Sequence, residues 1–225
     1  GYNIKKIDDF LKINFSFYQT NQENEDNKTI PTVFPYINYN NGKSINNGFE
    51  ISSDLEFYNI FRDKSTNIHS QKQQKFSHKY SHNKKFISNN TRFSFNSEIY
   101  NQVFNTENKK IEDNRFHTGS YYRLFPLIGI NAELPFKVKN DKRNIIYKPS
   151  ATLVITPGIS NSNKLSNEDS SNNNLSIENI NNLNRYSGTD KMDNSKRISY
   201  GFEAYNNFLK LKVSQYYEFT KNSNF

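Results

Sequence analysis

The chain of 225 residues contains no cysteine, no tryptophan and a single methionine. Without cysteine it has no disulfide framework, no thiolate nucleophile and no thiolate metal ligand. It also lacks an apolar run of about eighteen residues, which excludes a transmembrane helix. Residues 1–20 show no uninterrupted apolar core and no small-residue cleavage site, so we expect no signal peptide here. If the protein is exported, its natural N-terminus lies elsewhere.

Hydrophobic residues are scarce, at 33% of the sequence, so a large dry core is difficult to build. Aromatic residues are nevertheless abundant, with 19 Phe and 15 Tyr, and this disfavours simple disorder. The mean hydropathy of −0.93 argues against a helical membrane protein. It is compatible with a β-barrel, because barrel strands need apolar residues only at every second position and barrel loops are polar.

Helical periodicity is absent, whereas strict alternation of apolar and polar residues recurs. It is present over 11–17, 49–61 and 93–103. In the second half, apolar residues share one face over 124–136 and again over 145–155, with a short charged connection between them, which predicts a hairpin. The segments that begin at Arg197 and Leu209 alternate in the same way around a break at 206–207, which predicts a second hairpin.

Two architectures produce this alternation: a soluble sandwich, whose apolar faces meet in a core, and a membrane barrel, whose apolar faces meet lipid. Several segments are about twelve residues or longer, beyond the typical soluble strand and long enough to cross a bilayer. Aromatic residues near segment ends suit interfacial girdles; they are Phe49, Phe61, Tyr121, Tyr122, Phe136, Tyr205 and Tyr217. We therefore predict an all-β fold, an antiparallel transmembrane β-barrel segment of long meander strands, with the sandwich as the alternative.

Residues 158–195 form the longest stretch without alternation and are rich in Asn, Ser, Asp and Glu. Such a long loop in a compact domain indicates a functional loop. Its element Asn167-Glu168-Asp169-Ser170 offers oxygen ligands for a hard cation, but it lacks the spacing of an EF-hand, and a plain acidic turn is the favoured interpretation. Three prolines near the best strands, Pro126, Pro135 and Pro149, are expected at bulges, bends or strand starts and in a barrel would loosen the wall.

The net charge of +8 raises the question of nucleic-acid binding, and the segment 72–85 is the local cluster of cations and aromatic rings. Aromatic side chains among cations stack on bases. No nucleic-acid-binding motif accompanies the cluster, so a solvated loop or the polar face of a strand is the favoured interpretation, with a patch facing anionic lipid as a third. An enzyme is least favoured, because the four histidines have no accompanying nucleophile motif.

A succession of short elements runs along the chain. In order they are Ile30-Pro31-Thr32-Val33-Phe34-Pro35-Tyr36-Ile37, Tyr122-Arg123-Leu124-Phe125-Pro126, Glu133-Leu134-Pro135-Phe136, Tyr147-Lys148-Pro149-Ser150, Asn167-Glu168-Asp169-Ser170, Asn184-Arg185-Tyr186-Ser187-Gly188-Thr189-Asp190-Lys191 and Ser199-Tyr200-Gly201. This succession resembles the C-terminal barrel of the LPS-assembly protein family LptD, in particular its alphaproteobacterial members. The sequence departs from the family at Lys191, where Arg is usual, and at 177–181, where an aromatic anchor is missing.

The resemblance implies transport without chemistry or cofactor: insertion of lipopolysaccharide into the outer leaflet of the Gram-negative cell outer membrane. It implies that residues 1–225 are part of one barrel domain, without the N-terminal periplasmic jelly roll. The implied partners are lipopolysaccharide, an LptE-like lipoprotein plug, a periplasmic LptA-like bridge and outer-membrane lipid, with no nucleic acid. Candidate residues for handling lipopolysaccharide or pinning the loop are Arg123, Lys148, Asn167, Glu168, Asp169, Asn184, Arg185, Asp190, Lys191 and Arg197.

Two other classes remain as alternatives. A general porin-like outer-membrane barrel would show the same alternation without the ordered proline and Asn-Arg-Tyr-Ser-Gly elements. A soluble basic-aromatic β-domain that binds single-stranded nucleic acid would bind in a salt-dependent manner and need no detergent.

Overall fold

The computed structural model describes residues 2–5, 9–19, 26–65, 68–140, 143–170 and 175–220. The regular elements are almost all strands. They are β1 (Tyr2–Lys5), β2 (Asp9–Phe17), a short 3-10 turn (Asn27–Thr29), β3 (Thr32–Asn46), β4 (Phe49–Ser65), β5 (Ile68–Ser88), β6 (Thr91–Glu112), β7 (Arg115–Glu133), β8 (Phe136–Asn140), β9 (Arg143–Ile155), β10 (Lys196–Tyr205) and β11 (Lys210–Glu218).

These strands form one antiparallel sheet in which each strand pairs with its sequence neighbours, except that β8 pairs with β9 alone and β7 also pairs with β9. The all-β antiparallel prediction is confirmed, and so are both predicted hairpins. One detail was wrong: the segment 124–136 is not a single strand, because Leu134 and Pro135 interrupt it between β7 and β8.

Tight turns fix the strand register at one end of the sheet. Asn47 and Gly48 have φ angles of 49° and 76°, and Asn89 and Asn90 have φ angles of 47° and 62°. Two consecutive residues with positive φ make the hairpin turn whose twist matches that of the flanking strands, and Asn and Gly tolerate this conformation best. Since successive strands alternate in direction, the long segment between β9 and β10 leaves from the opposite end.

The sheet has two chemically different faces. The outer face is defined here as the one that carries Ile99, Leu153 and Val213, all of them substantially exposed. The inner face is the one that carries Lys75 and Arg123, both of them buried. Apolar side chains therefore point away from the covered side, which is the reverse of a soluble sheet with one packed face and is typical of a barrel wall. No helix in the described ranges is long and apolar enough to cross a membrane.

The basic segment 72–85 lies within β5, and its residues alternate between the faces. Lys75 and Lys79 are on the inner face, where both pair with carboxylates. Tyr80 and His82 are on the outer face and pack edge to face. The polar face of a strand, one of the two favoured interpretations, is therefore correct for this segment, and the solvated loop is not.

The three prolines lie along the seam between β7 and the β8–β9 hairpin. The β7–β9 ladder runs only from Ile128 to Glu133. Pro126 lies in β7 opposite Ile99 in unbroken register with β6, two residues beyond that ladder, so the expected bulge or bend is wrong for this proline. At the position of Pro126, β7 has no partner in β9. A missing N–H on the side that faces β9 therefore breaks no hydrogen bond between strands.

The other two prolines lie at the opposite end of the seam. Pro135 lies in the break between β7 and β8, as expected of a proline at a bend. Pro149 faces this break from within β9: Ser150 is the last β9 residue paired with β7, and Tyr147 is the first paired with β8. One hydrogen bond spans the gap, in which the Leu134 N–H donates to the Pro149 carbonyl at 3.0 Å.

Candidate functional site: a loop docked on the inner face

The segment 156–195, called here the inner loop, contains no strand or helix among its described residues, yet much of it is buried against the inner face. Met192 is fully buried and packs with Tyr100, Phe125 and Leu127 of the sheet, and Leu183 packs against the same cluster. These are among the few apolar side chains on an otherwise polar face. The sequence therefore provides a small apolar contact surface for a loop that is mostly hydrophilic.

Lys75 of β5 is the central charged contact between sheet and loop. Its side chain is 0% exposed, and Nζ lies 3.0 Å from Asp169 and 2.8 Å from Asp190 of the inner loop and 2.9 Å from Glu56 of β4. It also donates to the Thr189 hydroxyl at 2.5 Å. A buried ammonium is tolerated only when it is paired and hydrogen-bonded, so the loop carboxylates are needed to keep Lys75 in this position. Glu56, Lys75, Asp169, Thr189 and Asp190 are together called the Lys75 cluster.

Asp190 joins two parts of the loop to the sheet. Its Oδ1 accepts from the Tyr58 hydroxyl at 2.9 Å, in addition to Lys75. Its Oδ2 accepts from the backbone N–H groups of Glu168 at 2.7 Å and Asp169 at 3.2 Å. Because both carboxylate oxygens are occupied, Asp190 holds the Asn-Glu-Asp-Ser element and the Asn-Arg-Tyr-Ser-Gly element against each other.

The two loop carboxylates of the Lys75 cluster are shifted in opposite directions. Burial alone would raise the pKa of Asp169, but the Lys75 charge and the N–H groups of Thr189 and Asp190 outweigh it and hold that pKa below its usual value. Burial raises the pKa of Asp190 above its usual value, and Asp169 adds to the rise while Lys75 opposes it. Carboxylates that share one cation are expected to diverge in this way.

Arg123 of β7 binds the loop backbone rather than a carboxylate. Its guanidinium donates to the Thr189 carbonyl at 2.6 Å and to the Asp190 carbonyl at 2.9 Å. A further bond, from Nε to Gln102 Oε1 at 2.8 Å, orients the group from the neighbouring strand. The planar, multidentate donor set of arginine suits two successive carbonyls. Arg123 thus fixes the path of the chain next to the Lys75 cluster.

Glu168 anchors the first part of the inner loop near the C-terminal end of β4. Its two carboxylate oxygens accept from the Arg62 guanidinium at 2.9 Å and 2.6 Å. Arg62 is 18% exposed in its side chain and Glu168 6%, so this bidentate pair is partly shielded from solvent. Next to it, Gln73 donates to the Ser166 carbonyl at 3.0 Å and accepts from the Ser166 N–H at 2.7 Å.

A second buried group of charges, the Arg185 cluster, lies where the loop enters β10. Arg185 and Asp193 form two bonds of 2.5 Å and 3.0 Å. Arg197 donates to the same carboxylate at 2.9 Å. Glu218 of β11 lies 3.4 Å from Arg185 and accepts from the Ser195 hydroxyl at 2.7 Å. Two arginines and two carboxylates are thereby neutralised together in a buried place.

Gly188 is required by a close approach rather than by its φ angle. A Cβ at this position would overlap both the side-chain and the backbone oxygens of Asp169. The Ser-Gly step of the Asn-Arg-Tyr-Ser-Gly element therefore lets the backbone reach Asp169, whose carboxylate accepts from the N–H groups of Thr189 at 3.0 Å and Asp190 at 2.8 Å.

The remaining predicted loop residues act within the loop. Asn184 accepts from the Asp193 N–H at 3.0 Å and donates to the Gly188 carbonyl at 3.0 Å. Asn167 accepts from the Ser170 N–H at 3.1 Å. Lys191 lies over the Tyr186 ring, with Nζ 5.9 Å from the ring centroid. Each of these contacts holds a turn of the loop.

Lys148 lies apart from both clusters. It is on the inner face of β9, nearer the tight turns, and its Nζ is 3.9 Å from both Glu133 and Glu203. The cation site considered for residues 167–170 is not formed: Glu168 and Asp169 are engaged by Arg62 and Lys75, and the described residues contain no group of three or more His, Cys, Asp or Glu placed to hold a metal.

The sequence interpretation missed the sheet partners of the loop. Glu56, Tyr58, Gln73 and Lys75 were not predicted as site residues, although each contacts the loop or its main anchor. Asp193 was missed as the carboxylate shared by the two arginines. The available signal was weak: charged residues on the polar face of a strand are ordinary, and only their burial distinguishes them.

The model of the family described as "LptD: LPS transport system D" matches residues 9–225. No curated protein matches the chain. The match covers every strand from β2 onwards, the inner loop and both buried clusters. The chain therefore belongs to the LptD family, a non-enzymatic component of lipopolysaccharide transport in the outer membrane of Gram-negative bacteria.

Proposed function

We propose that this chain is part of the barrel wall of an outer-membrane translocon that inserts lipopolysaccharide into the outer leaflet. The observation that carries the proposal is the inner loop, a hydrophilic segment held over a polar inner face while the outer face is apolar. An amphiphile with a large saccharide needs a polar path for its sugars beside an apolar surface for its acyl chains. A wall with these two faces meets both needs.

The buried clusters support a specific role for the loop. Lys75, Arg123, Arg185 and Arg197 are buried cations at the loop, and each is already bound to a loop carboxylate or carbonyl. We infer that they pin the loop and do not bind the anionic groups of lipopolysaccharide. The predicted candidates Asn167, Glu168, Asp169, Asn184, Asp190 and Lys191 belong to the same pinning network.

Two parts of the proposal concern partners of this wall. Residues 1–225 are one part of a barrel domain whose lumen holds an LptE-like lipoprotein. Lipopolysaccharide arrives from a periplasmic LptA-like bridge. The β7–β9 ladder is short and the three prolines lie along its seam, so this seam is a poorly paired strip, which supports a wall that deforms locally.

Depletion of the full-length protein tests this function. We expect the protein to fractionate with the outer membrane, and its depletion to lower the amount of lipopolysaccharide that surface-specific antibody or labelling detects. Outer-membrane porins should keep their abundance during the first generations of depletion, which controls for general envelope damage. Unchanged surface lipopolysaccharide, or a soluble folded product, would contradict the proposal.

A further inference from the structure

A polar cavity lies between the inner loop and the inner face, on the side of the Lys75 cluster nearer the tight turns. It has a volume of about 620 Å³, which falls in the usual range for small-ligand sites. Its sheet wall includes Asn96, Asn131 and Thr152, and its loop wall runs over 181–184 and 186–189. This space is called the Asn131 cavity.

Three of the amides that line the cavity, those of Asn96, Asn131 and Asn181, are only half used by the protein. Asn131 Nδ2 donates to the Thr152 hydroxyl at 2.8 Å. Asn96 accepts from Asn83 at 2.5 Å, and Asn181 accepts from Ser199 at 2.6 Å. In the described part of the chain, Asn131 Oδ1 and the amide nitrogens of Asn96 and Asn181 make no bond of their own. The cavity thus offers acceptors and donors together, as the hydroxyl groups of a sugar require.

A smaller adjoining cavity of about 210 Å³ shares Lys79, Asn96 and Glu98 with the first. Among its lining residues, Ser81 Oγ and Asn83 Oδ1 are buried without a hydrogen-bond partner. Buried polar atoms are rarely left unsatisfied, so these two indicate a polar occupant.

The charge of the cavity argues against an anion. Lys79 is the only Lys or Arg among its described lining residues, and its Nζ lies 3.3 Å from Asp54 and 4.0 Å from Glu98. Two carboxylates, Glu98 and Glu133, also line the space. A phosphate here would face more negative than positive charge, which is unfavourable. Tyr100 and Tyr186 add aromatic surface beside the amides, an arrangement of apolar bodies with polar handles.

We propose that the Asn131 cavity binds an uncharged sugar of the transported saccharide and does not bind its phosphate groups. This inference rests on the proposed function, since it assigns a part of the transported molecule to a place on the inner face. It differs from the pinning role of the buried clusters, because Asn96, Asn131 and Asn181 keep unused hydrogen-bonding atoms beside an open space. The charged side chains of the clusters are instead paired with one another.

The test uses the full-length protein in detergent micelles and isothermal titration calorimetry. The probe is the core oligosaccharide released from lipopolysaccharide of the same cells by mild acid and then dephosphorylated. We expect saturable binding that Asn131→Ala and, on the loop wall, Asn181→Ala each weaken at least fivefold. Asn101→Ala, on the outer face of β6, is the matched control and should bind as the unaltered protein does. Inorganic phosphate should not compete.

Absence of saturable binding, competition by inorganic phosphate, or an equal loss in Asn101→Ala would each overturn the inference. The two alanine variants lie on different elements, so if one of them fails to fold, the other still tests the inference. Whether the oligosaccharide binds saturably at all is decided with the unaltered protein alone. A protein that sustains surface lipopolysaccharide but does not bind the oligosaccharide overturns this inference without touching the proposed function. Unchanged surface lipopolysaccharide on depletion overturns the proposed function itself.

Discussion

The Lys75 cluster and the Arg185 cluster are both buried groups of cations and carboxylates, but they connect different parts of the chain. In the Lys75 cluster, the lysine and the two loop carboxylates are separated by 94 and 115 residues in sequence. In the Arg185 cluster, Asp193 is eight residues from Arg185 and four from Arg197. The first cluster therefore determines whether the loop lies on the sheet, and the second determines the shape of the loop as it enters β10.

Loss of the central lysine should have the largest effect. Lys75→Met leaves the buried Asp190, Asp169 and Glu56 without their shared cation, and breaking a buried ion pair costs about 3–5 kcal/mol. We expect the inner loop to leave the inner face while the sheet stays folded. Limited proteolysis should then cleave within 158–190. The control is Lys72→Met, at an exposed lysine of the same strand. Equal cleavage in both variants would contradict the role of Lys75 in holding the loop on the sheet.

The second cluster should give a more local result. Asp193→Asn removes the carboxylate that Arg185 and Arg197 share, at a cost of about 3 kcal/mol. Hydrogen exchange should increase near the start of β10, whereas the Glu168–Arg62 contact region should keep its protection. Asp113→Asn, in an exposed turn, is the matched control. If exchange rises equally over the whole loop, the two clusters do not act separately.

The close approach at Gly188 should be sensitive to a single methyl group. Gly188→Ala places a Cβ against the oxygens of Asp169, and such overpacking costs about 1–3 kcal/mol. We expect this variant to show the proteolytic pattern of Lys75→Met at lower intensity, because the ion pairs persist in a distorted form. Ser160→Ala, at an exposed position of the same loop, should behave as the unaltered protein. A silent Gly188→Ala variant would show that the loop adapts without cost.

Acidification should produce the smallest effect. Asp169 has a lowered pKa, so the docking it stabilises is fully present above the unfolded value of about 4 and is lost as the pH falls through its folded pKa. Asp190 has a raised pKa, so its contribution has the opposite sign and favours docking as the pH falls through that higher value. After correction for the intrinsic pH dependence of amide exchange, loop hydrogen exchange should thus decrease as the pH falls through the raised pKa of Asp190 and increase as it falls through the lowered pKa of Asp169.

The matched variant for this pH dependence is Asp169→Asn. It should weaken docking at neutral pH and remove the increase in exchange below about pH 4. An acid-induced increase that survives in Asp169→Asn would assign the effect to another group.

The strands differed in how far sequence patterns predicted them. Alternation identified β2, β4 and β6 and both later hairpins, because each of these strands has one apolar and one polar face. It did not identify β5, where Gln73 and Lys75 on the inner face are matched by His78 and His82 on the outer face. A strand with polar residues on both faces carries no period-two signal.

What the sequence by itself determined is the class of wall and the extent of its long loop. Alternation depends only on neighbouring residues, and the ordered proline and Asn-Arg-Tyr-Ser-Gly elements are local too. Only the tertiary structure decided that the loop lies on the inner face and that Lys75, Arg123 and Arg197 are occupied by it. The physical reason is that the cost of burying a charge is met by partners as many as 115 residues away, and sequence spacing contains no information on such pairs.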